Sequence, residues 1–282
     1  ISYCALFING KSTGLYGLMV PVDRKLMGMR EGDILYKIND WKMPDSNDYK
    51  KAEKSDKLTA SGDSLFAEIK YPDTPAEDSW NILHTFQNWA FNEQGYPAPA
   101  KITDLERKGC RIDLQNFLTY SLYCILLHAE DNTWKNTYMA AYKQFDGNWF
   151  LQRTVWDLNY ILGDEFVWNL GELCTVHVPE SYISMKVRKD YPLDFESYQL
   201  GNPEAFTEIF SLWKKWRSNG IDAKPVCEMI DTINTTLLIS GAYRFEEICW
   251  SLEDPSASVK NAKEWTKKRF DFLDEVFGYN EN

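Results

Sequence analysis

The chain has 282 residues, of which 44% are hydrophobic and 26% charged, a composition typical of a globular protein with an ample core. Its formal net charge of -11 argues against a general nucleic-acid binder or a protein that binds anionic membranes. No apolar run approaches the roughly 20 residues that a membrane-spanning helix needs.

The first residues predict a β-hairpin. Residues 3–9 and 15–22 have strand-like patterns, and the segment Gly10–Gly14 between them is rich in turn-forming residues. Because the chain begins at Ile1, inside the first strand pattern and without a starting Met, we expect a further segment upstream. The next stretch, residues 24–72, is mixed and rich in lysine, and its clearest feature is one short apolar segment.

Helical signals dominate the rest of the chain. Thr74-Pro75 followed by Glu77 is typical of a helix start, and Asp113 is predicted to cap a second, strongly apolar helix. Three further helices are predicted: one from Pro203 to about Asn219-Gly220, one from about Pro225, and one from about Pro255 to Phe277.

Tryptophan is unusually frequent, with 11 copies. Exposed Trp side chains would favour sugar binding by stacking. The helical spacing of four of them with other apolar residues instead predicts a place in the core. These four are Trp80, Trp89, Trp213 and Trp265.

The cysteines and histidines do not indicate a zinc site. The six cysteines include no C-x-x-C pair, and the three histidines lie far apart. Cys124 and Cys249 fall in apolar helical segments, which predicts buried free thiols. The even number of cysteines permits disulfides but does not require them.

A second hairpin is predicted after the helix that begins at Asp113. Residues 137–143 are rich in β-formers, Asp146-Gly147 is a strong tight-turn signal, and residues 148–156 form the returning strand. Asn136 therefore opens one strand and Asp157 closes the next, so we expect the two side chains to converge at one end of the hairpin.

Asp131, Asn136 and Asp157 follow the order of the groups that protein-kinase-type phosphoryl transfer needs. In that chemistry one Asp accepts the proton of the substrate hydroxyl, an Asn five residues later binds metal, and a second Asp binds the metals that bridge the ATP phosphates. The spacing alone does not establish this role, because Asp and Asn are common in loops and at helix ends.

Several segments resemble the CotH family (spore coat protein H), a group of atypical kinases. Leu6–Leu18 is similar to the family's hairpin with Asn-Gly, Gly and Tyr at fixed spacing, and Gly32–Lys37 is similar to its Leu-Tyr-Lys element. Asp131, Asn136 and Trp156-Asp157 resemble its D-x-x-x-x-N and W-D-x-D core. The C-terminal helices resemble its closing segment, so the similarity extends along essentially the whole chain.

The resemblance implies an α+β fold of the protein-kinase-like CotH type. A mostly helical larger lobe, residues 24–282, would carry the catalytic loop and the metal-binding β-hairpin. Residues 1–23 would be the end of the smaller N-terminal lobe, present as a remnant β-hairpin with the hinge.

The same resemblance implies roles for individual residues. Asp131 would be the catalytic Asp, and Asn136 and Asp157 the metal ligands. Among the remaining basic residues, Lys37 is the candidate for a place near the nucleotide. The cofactors would be ATP with Mg²⁺ or Mn²⁺, and the reaction a phosphoryl transfer to Ser or Thr of protein substrates. By resemblance to the family, these substrates would be secreted or surface proteins, and the protein itself would be extracellular or in the cell envelope.

Departures from the family pattern keep two alternatives open. Asn159 stands where the family usually has the second Asp of W-D-x-D, Val20-Pro21 where it often has Glu-Lys, and Arg153-Thr154 precedes Val155-Trp156 where a Pro is usual before the Trp. The basic β segment that precedes the hairpin in the family is also absent from this sequence. These features favour a catalytically weak or inactive pseudokinase with a structural role in surface or spore-coat assembly. The Trp content supports the other alternative, a carbohydrate-binding surface module.

Overall fold

The computed structural model describes residues 2–40, 42–60, 64–90, 102–129, 132, 135–159, 161–162, 204–250 and 255–280. Within these residues the protein is mixed α and β. The strands are β1 Ser2–Ile8, β2 Lys11–Leu18, β3 Ile34–Ile38, β4 Lys57–Ala60, β5 Ser64–Tyr71, β6 Cys110–Ile112, β7 Thr137–Lys143 and β8 Trp149–Val155. The helices are α1 Ser46–Lys51, α2 Asn81–Ala90, α3 Ile102–Arg107, α4 Leu114–Leu127, α5 Glu204–Ser218, α6 Ala223–Ile239, α7 Ala242–Trp250 and α8 Pro255–Phe277.

Contacts group the described residues into two compact units. The first contains the N-terminal residues up to 21 together with residues from 216 onward, and the second contains residues from 22 to 161 together with residues 204–215. The predicted lobes, residues 1–23 and 24–282, concern the kinase-like fold and stay a prediction.

In the first unit, the hairpin of β1 and β2 packs against α7. The Phe7 ring meets Phe245 edge-on with 5.7 Å between ring centroids, and the Trp250 indole N–H donates to the carbonyl of Thr13 at 3.2 Å. Gly14 is required at this contact, because a Cβ there would lie 2.6 Å from Trp250 Nε1. The hairpin predicted from the sequence is thus confirmed, with both strands placed slightly earlier in the chain.

The second unit is built on a six-stranded sheet with the order β4-β5-β3-β7-β8-β6. All neighbouring strands are antiparallel except β6 and β8, which are parallel. The hairpin of β7 and β8 therefore lies inside a larger sheet. No strand pair was predicted for residues 57–71, which belong to the mixed, lysine-rich stretch of the sequence.

Helix α4 lies against this sheet and begins where the sequence predicts. The Asp113 carboxylate caps it by accepting a hydrogen bond from the Asn116 backbone N–H at 3.0 Å, and it also accepts from the Gln152 side chain on β8 at 2.8 Å. The helix ends at His128, whose backbone is left-handed with φ of 57°. Asn132 follows this helix end by four residues.

Helix α2 begins later than the Thr74-Pro75 signal predicts. The chain first makes tight turns, with Ser79 N–H donating to the Ala76 carbonyl at 3.1 Å, and the helix starts only at Asn81. The carbonyl of Ser79 accepts a hydrogen bond from the buried Tyr36 hydroxyl on β3. We attribute the delay to this tertiary contact, which holds the segment before α2 against the sheet.

The four Trp side chains predicted for the core are buried, with exposed fractions of 4% or less. This removes the main support for a carbohydrate-binding module. Cys124 is buried and outside any disulfide as predicted, whereas Cys249 is only partly buried. Burial raises the pKa of the Cys110 thiol to about 12.

No helix within the described residues is long and apolar enough to cross a membrane.

Candidate functional site

The two predicted metal ligands lie side by side at one end of the β7–β8 hairpin. Thr137 pairs with Val155 in the last register position, and beyond it the Trp156 N–H donates to the carbonyl of Asn136 at 3.1 Å. Asn136 thus immediately precedes β7, and Asp157 follows β8 by two residues. The pairing of the strands brings together residues that are far apart in the sequence.

Both residues have left-handed backbone, with φ of 50° at Asn136 and 58° at Asp157. Asn and Asp tolerate this conformation better than other residues with side chains, so the local geometry favours these residue types at both positions. Asn136 is half-buried and Asp157 is exposed. An exposed carboxylate beside a half-buried amide can meet a ligand that arrives from solvent.

Lys37 reaches the same end of the sheet from the neighbouring strand β3. It pairs with Tyr138 of β7, and its Nζ lies over the Trp156 ring, 5.6 Å from the ring centroid. The Trp156 ring in turn meets Tyr138 edge-on at 5.7 Å. An ammonium group over an indole ring is attracted by the ring's negative face. Because Trp156 directly precedes Asp157, this contact holds the Lys37 side chain beside the chain neighbour of Asp157.

Acidic and apolar neighbours surround Lys37. Glu68 of β5 is its register partner on the other side, and the Glu68 carboxylate is bound by Lys70 Nζ at 3.4 Å and by Asn39 Nδ2 at 3.2 Å. The pKa of the Tyr138 hydroxyl is raised, first by burial and second by the Glu68 carboxylate. Within the described residues, Lys37 therefore lies between the Glu68 carboxylate and the aromatic rings of Tyr138 and Trp156.

Asp131, the predicted catalytic residue, lies outside the described residues. Its chain neighbour Asn132 is described and is almost fully buried, with 1% of its surface exposed. The Asn132 side-chain amide donates to the carbonyl of Asn136 at 2.9 Å and to that of Trp156 at 2.5 Å. The sequence indicated no role for Asn132 beyond a place at the end of the preceding helix. Its position directly after Asp131, inside the D-x-x-x-x-N segment, was the signal that could have identified it as part of the site.

The residues at this end of the sheet fit a metal that is bound together with a nucleotide. Mg²⁺ is usually held by one or two protein oxygens, with water and substrate phosphates completing its six ligands. Asn136 and Asp157 supply oxygens of this kind. Within the described part of the chain, no three His, Cys, Asp or Glu residues cluster closely enough to hold a metal.

One family of known proteins matches the chain along most of its length. A search of the curated proteins finds no match to the chain. The model of the family described as CotH kinase protein matches residues 1–273, which is nearly the whole sequence. The resemblance noted in the sequence is therefore confirmed, and the chain belongs to the CotH kinase protein family.

Proposed function

We propose that this protein transfers the γ-phosphate of ATP, with Mg²⁺ or Mn²⁺, to Ser or Thr hydroxyls of protein substrates. The observation that carries the proposal is the convergence of Asn136, Asp157 and Lys37 at one end of the sheet, in a chain of a kinase-like family. The family's association with the spore coat favours acceptor proteins in the cell envelope or outside the cell.

In the proposed reaction, the bond between the γ-phosphorus and the bridging oxygen of ADP breaks, and a bond to the substrate oxygen forms. The Asp131 carboxylate takes the hydroxyl proton. Asn136 and Asp157 would hold the metal, whose positive charge would offset the negative charge of the triphosphate. The exposed position of Asp157 beyond the end of β8 would leave the metal accessible to the phosphates.

Lys37 is proposed to bind the phosphates as a point charge. Hydrogen bonds to charged groups contribute about 1.5–3 kcal/mol, which corresponds to at least a tenfold change in affinity. We therefore expect Lys37→Met to raise the Kd for Mg-ATP about tenfold or more. Isothermal titration calorimetry with a non-hydrolysable ATP analogue and Mg²⁺ measures this change.

Lys70→Met is the matched control for that substitution. Lys70 lies on the neighbouring strand β5, and its side chain is 42% exposed and paired with Glu68. The Lys70→Met substitution removes the same charge as Lys37→Met but leaves the contact with Trp156 in place. Equal weakening of ATP binding in both variants would show a general charge effect and would contradict a specific role for Lys37.

The experiment that tests the proposed function is a thermal unfolding series. The protein is heated alone, with ATP, with Mg²⁺, and with both. A ligand that binds only the folded state stabilises it by about 2.7 kcal/mol when its concentration is about 100 times its Kd. We expect the midpoint to rise with both together much more than with either alone. Labelled γ-phosphate then reports transfer to casein or to the protein itself.

A pseudokinase is the second candidate function. Asn159 favours it, because it stands in place of the second Asp of the family's W-D-x-D pattern. A pseudokinase of this kind would bind nucleotide weakly or without metal and would transfer no phosphate. Stabilisation by ATP that is weak or does not require Mg²⁺, together with no label transfer to a wide range of proteins, would favour this function over the kinase.

A further inference from the structure

The Asn132 side chain forms a bridge between the two strand ends of the candidate site. A primary amide has two N–H donors, and here each donor meets a carbonyl on a different strand end, Asn136 at 2.9 Å and Trp156 at 2.5 Å. Because both acceptors are carbonyl oxygens, only the NH₂ side of the amide can face them. One buried side chain therefore links the two strand ends at the open end of the hairpin.

The two carbonyls belong to the peptide units next to the proposed metal ligands. The first is the carbonyl of Asn136 itself. The second lies in the peptide bond that joins Trp156 to Asp157. Fixing these two units fixes the direction in which the Asn136 and Asp157 side chains leave the backbone, and both residues have the less common left-handed conformation.

Helix α4 anchors the other side of the bridge. The Asn132 N–H donates to the carbonyl of Ala129 at 3.1 Å, just beyond the helix, and the Asn132 carbonyl accepts from the buried Tyr120 hydroxyl at 2.6 Å. Burial is the main reason that the pKa of Tyr120 is raised, so this hydroxyl stays protonated and remains a donor. The backbone of Asn132 is thus held by α4 while its side chain holds the hairpin.

We infer that Asn132 is a positioning residue that sets the geometry of the metal site, an inference that rests on the proposed function. Residues that hydrogen-bond behind metal ligands typically change metal affinity by about 10- to 100-fold when they are removed. No side chain with a single donor, such as Ser or Thr, can make both bonds at once.

Asn116 provides a matched control. Its amide also joins α4 to β8, donating to the Arg153 carbonyl at 3.1 Å and accepting from the Arg153 N–H at 2.7 Å. This contact lies four residues before Asp157 and does not touch Asn136 or Trp156. Asn116→Ala and Asn132→Ala therefore each remove two side-chain hydrogen bonds to backbone groups in or next to the β7–β8 hairpin.

Two measurements test the inference. The first is amide hydrogen exchange in the ligand-free protein, where we expect the Trp156 N–H to exchange at least about tenfold faster in Asn132→Ala and at an unchanged rate in Asn116→Ala. The second is Mn²⁺ binding, followed by electron paramagnetic resonance with a saturating non-hydrolysable ATP analogue. We expect the Kd for Mn²⁺ to rise about tenfold or more in Asn132→Ala and less than threefold in the control.

The outcomes separate this inference from the proposed function. If the wild-type protein binds no Mn²⁺ with the nucleotide, the proposed function fails and the inference fails with it. If the wild type binds Mn²⁺ and a folded Asn132→Ala variant binds it equally well, the inference alone is overturned. Should Asn132→Ala not fold, Asn132→Ser decides, because its hydroxyl can keep only one bond: a threefold or larger rise in Kd supports the inference, and an unchanged Kd overturns it.

Discussion

Asp157→Asn is expected to reduce phosphoryl transfer by about 100- to 1000-fold, the size of effect seen when one electrostatic contact to a transition state is lost. The substitution removes the negative charge that would hold the metal but keeps the size of the side chain. Asn also tolerates the left-handed backbone that Asp157 has, with φ of 58°. Because Asp157 is exposed, the free energy of unfolding should change by less than about 0.5 kcal/mol. Initial rates of label transfer at several Mg²⁺ concentrations measure the effect.

Asp146→Asn is the control for this prediction. Asp146 is also exposed, and it lies in the turn at the opposite end of the same β7–β8 hairpin. The control removes one negative charge from the hairpin without approaching Asn136. If Asp146→Asn slowed the reaction as much as Asp157→Asn, the charge of the hairpin as a whole and not a metal ligand would explain the result. Full activity of Asp157→Asn would refute its proposed role directly.

The second large effect is expected on stability, from Phe86→Ala. Phe86 on α2 is fully buried and packs its ring against Trp89 and Phe117, with ring centroids 5.7 and 5.9 Å away. Removing a buried Phe side chain costs about 3–5 kcal/mol, through the lost apolar burial and the cavity that remains. Urea unfolding followed by Trp fluorescence and circular dichroism measures the change, and both signals should move together.

Phe145→Ala is the matched comparison for Phe86→Ala. Phe145 lies in the turn between β7 and β8 and is fully exposed, so the same atoms are removed without any loss of burial. We expect its free energy of unfolding to change by less than about 0.5 kcal/mol. A large loss in Phe145→Ala, or a small one in Phe86→Ala, would show that this assignment of the core is wrong.

Local signals in the sequence predict several elements of this fold correctly. Asp113 caps α4, Asp146-Gly147 turns the chain between β7 and β8, and the last helix runs from Pro255 to Phe277 as predicted. Each of these depends on a few neighbouring residues, because caps, turns and helical periodicity are short-range effects. The helix predicted at Thr74-Pro75 starts later, since a contact with the distant Tyr36 competes with the local signal.

The sequence also placed Asn136 and Asp157 at the two strand ends, because a hairpin with a short turn determines which residues face each other. It did not place β3 between β5 and β7, since the partners of a strand depend on contacts between distant parts of the chain. That arrangement alone brings Lys37 to Trp156. The sequence therefore determined the residue types of the candidate site and its hairpin. Only the tertiary structure decided that a lysine from β3 joins them and that the buried amide of Asn132 holds them, because both depend on which strands and helices pack together.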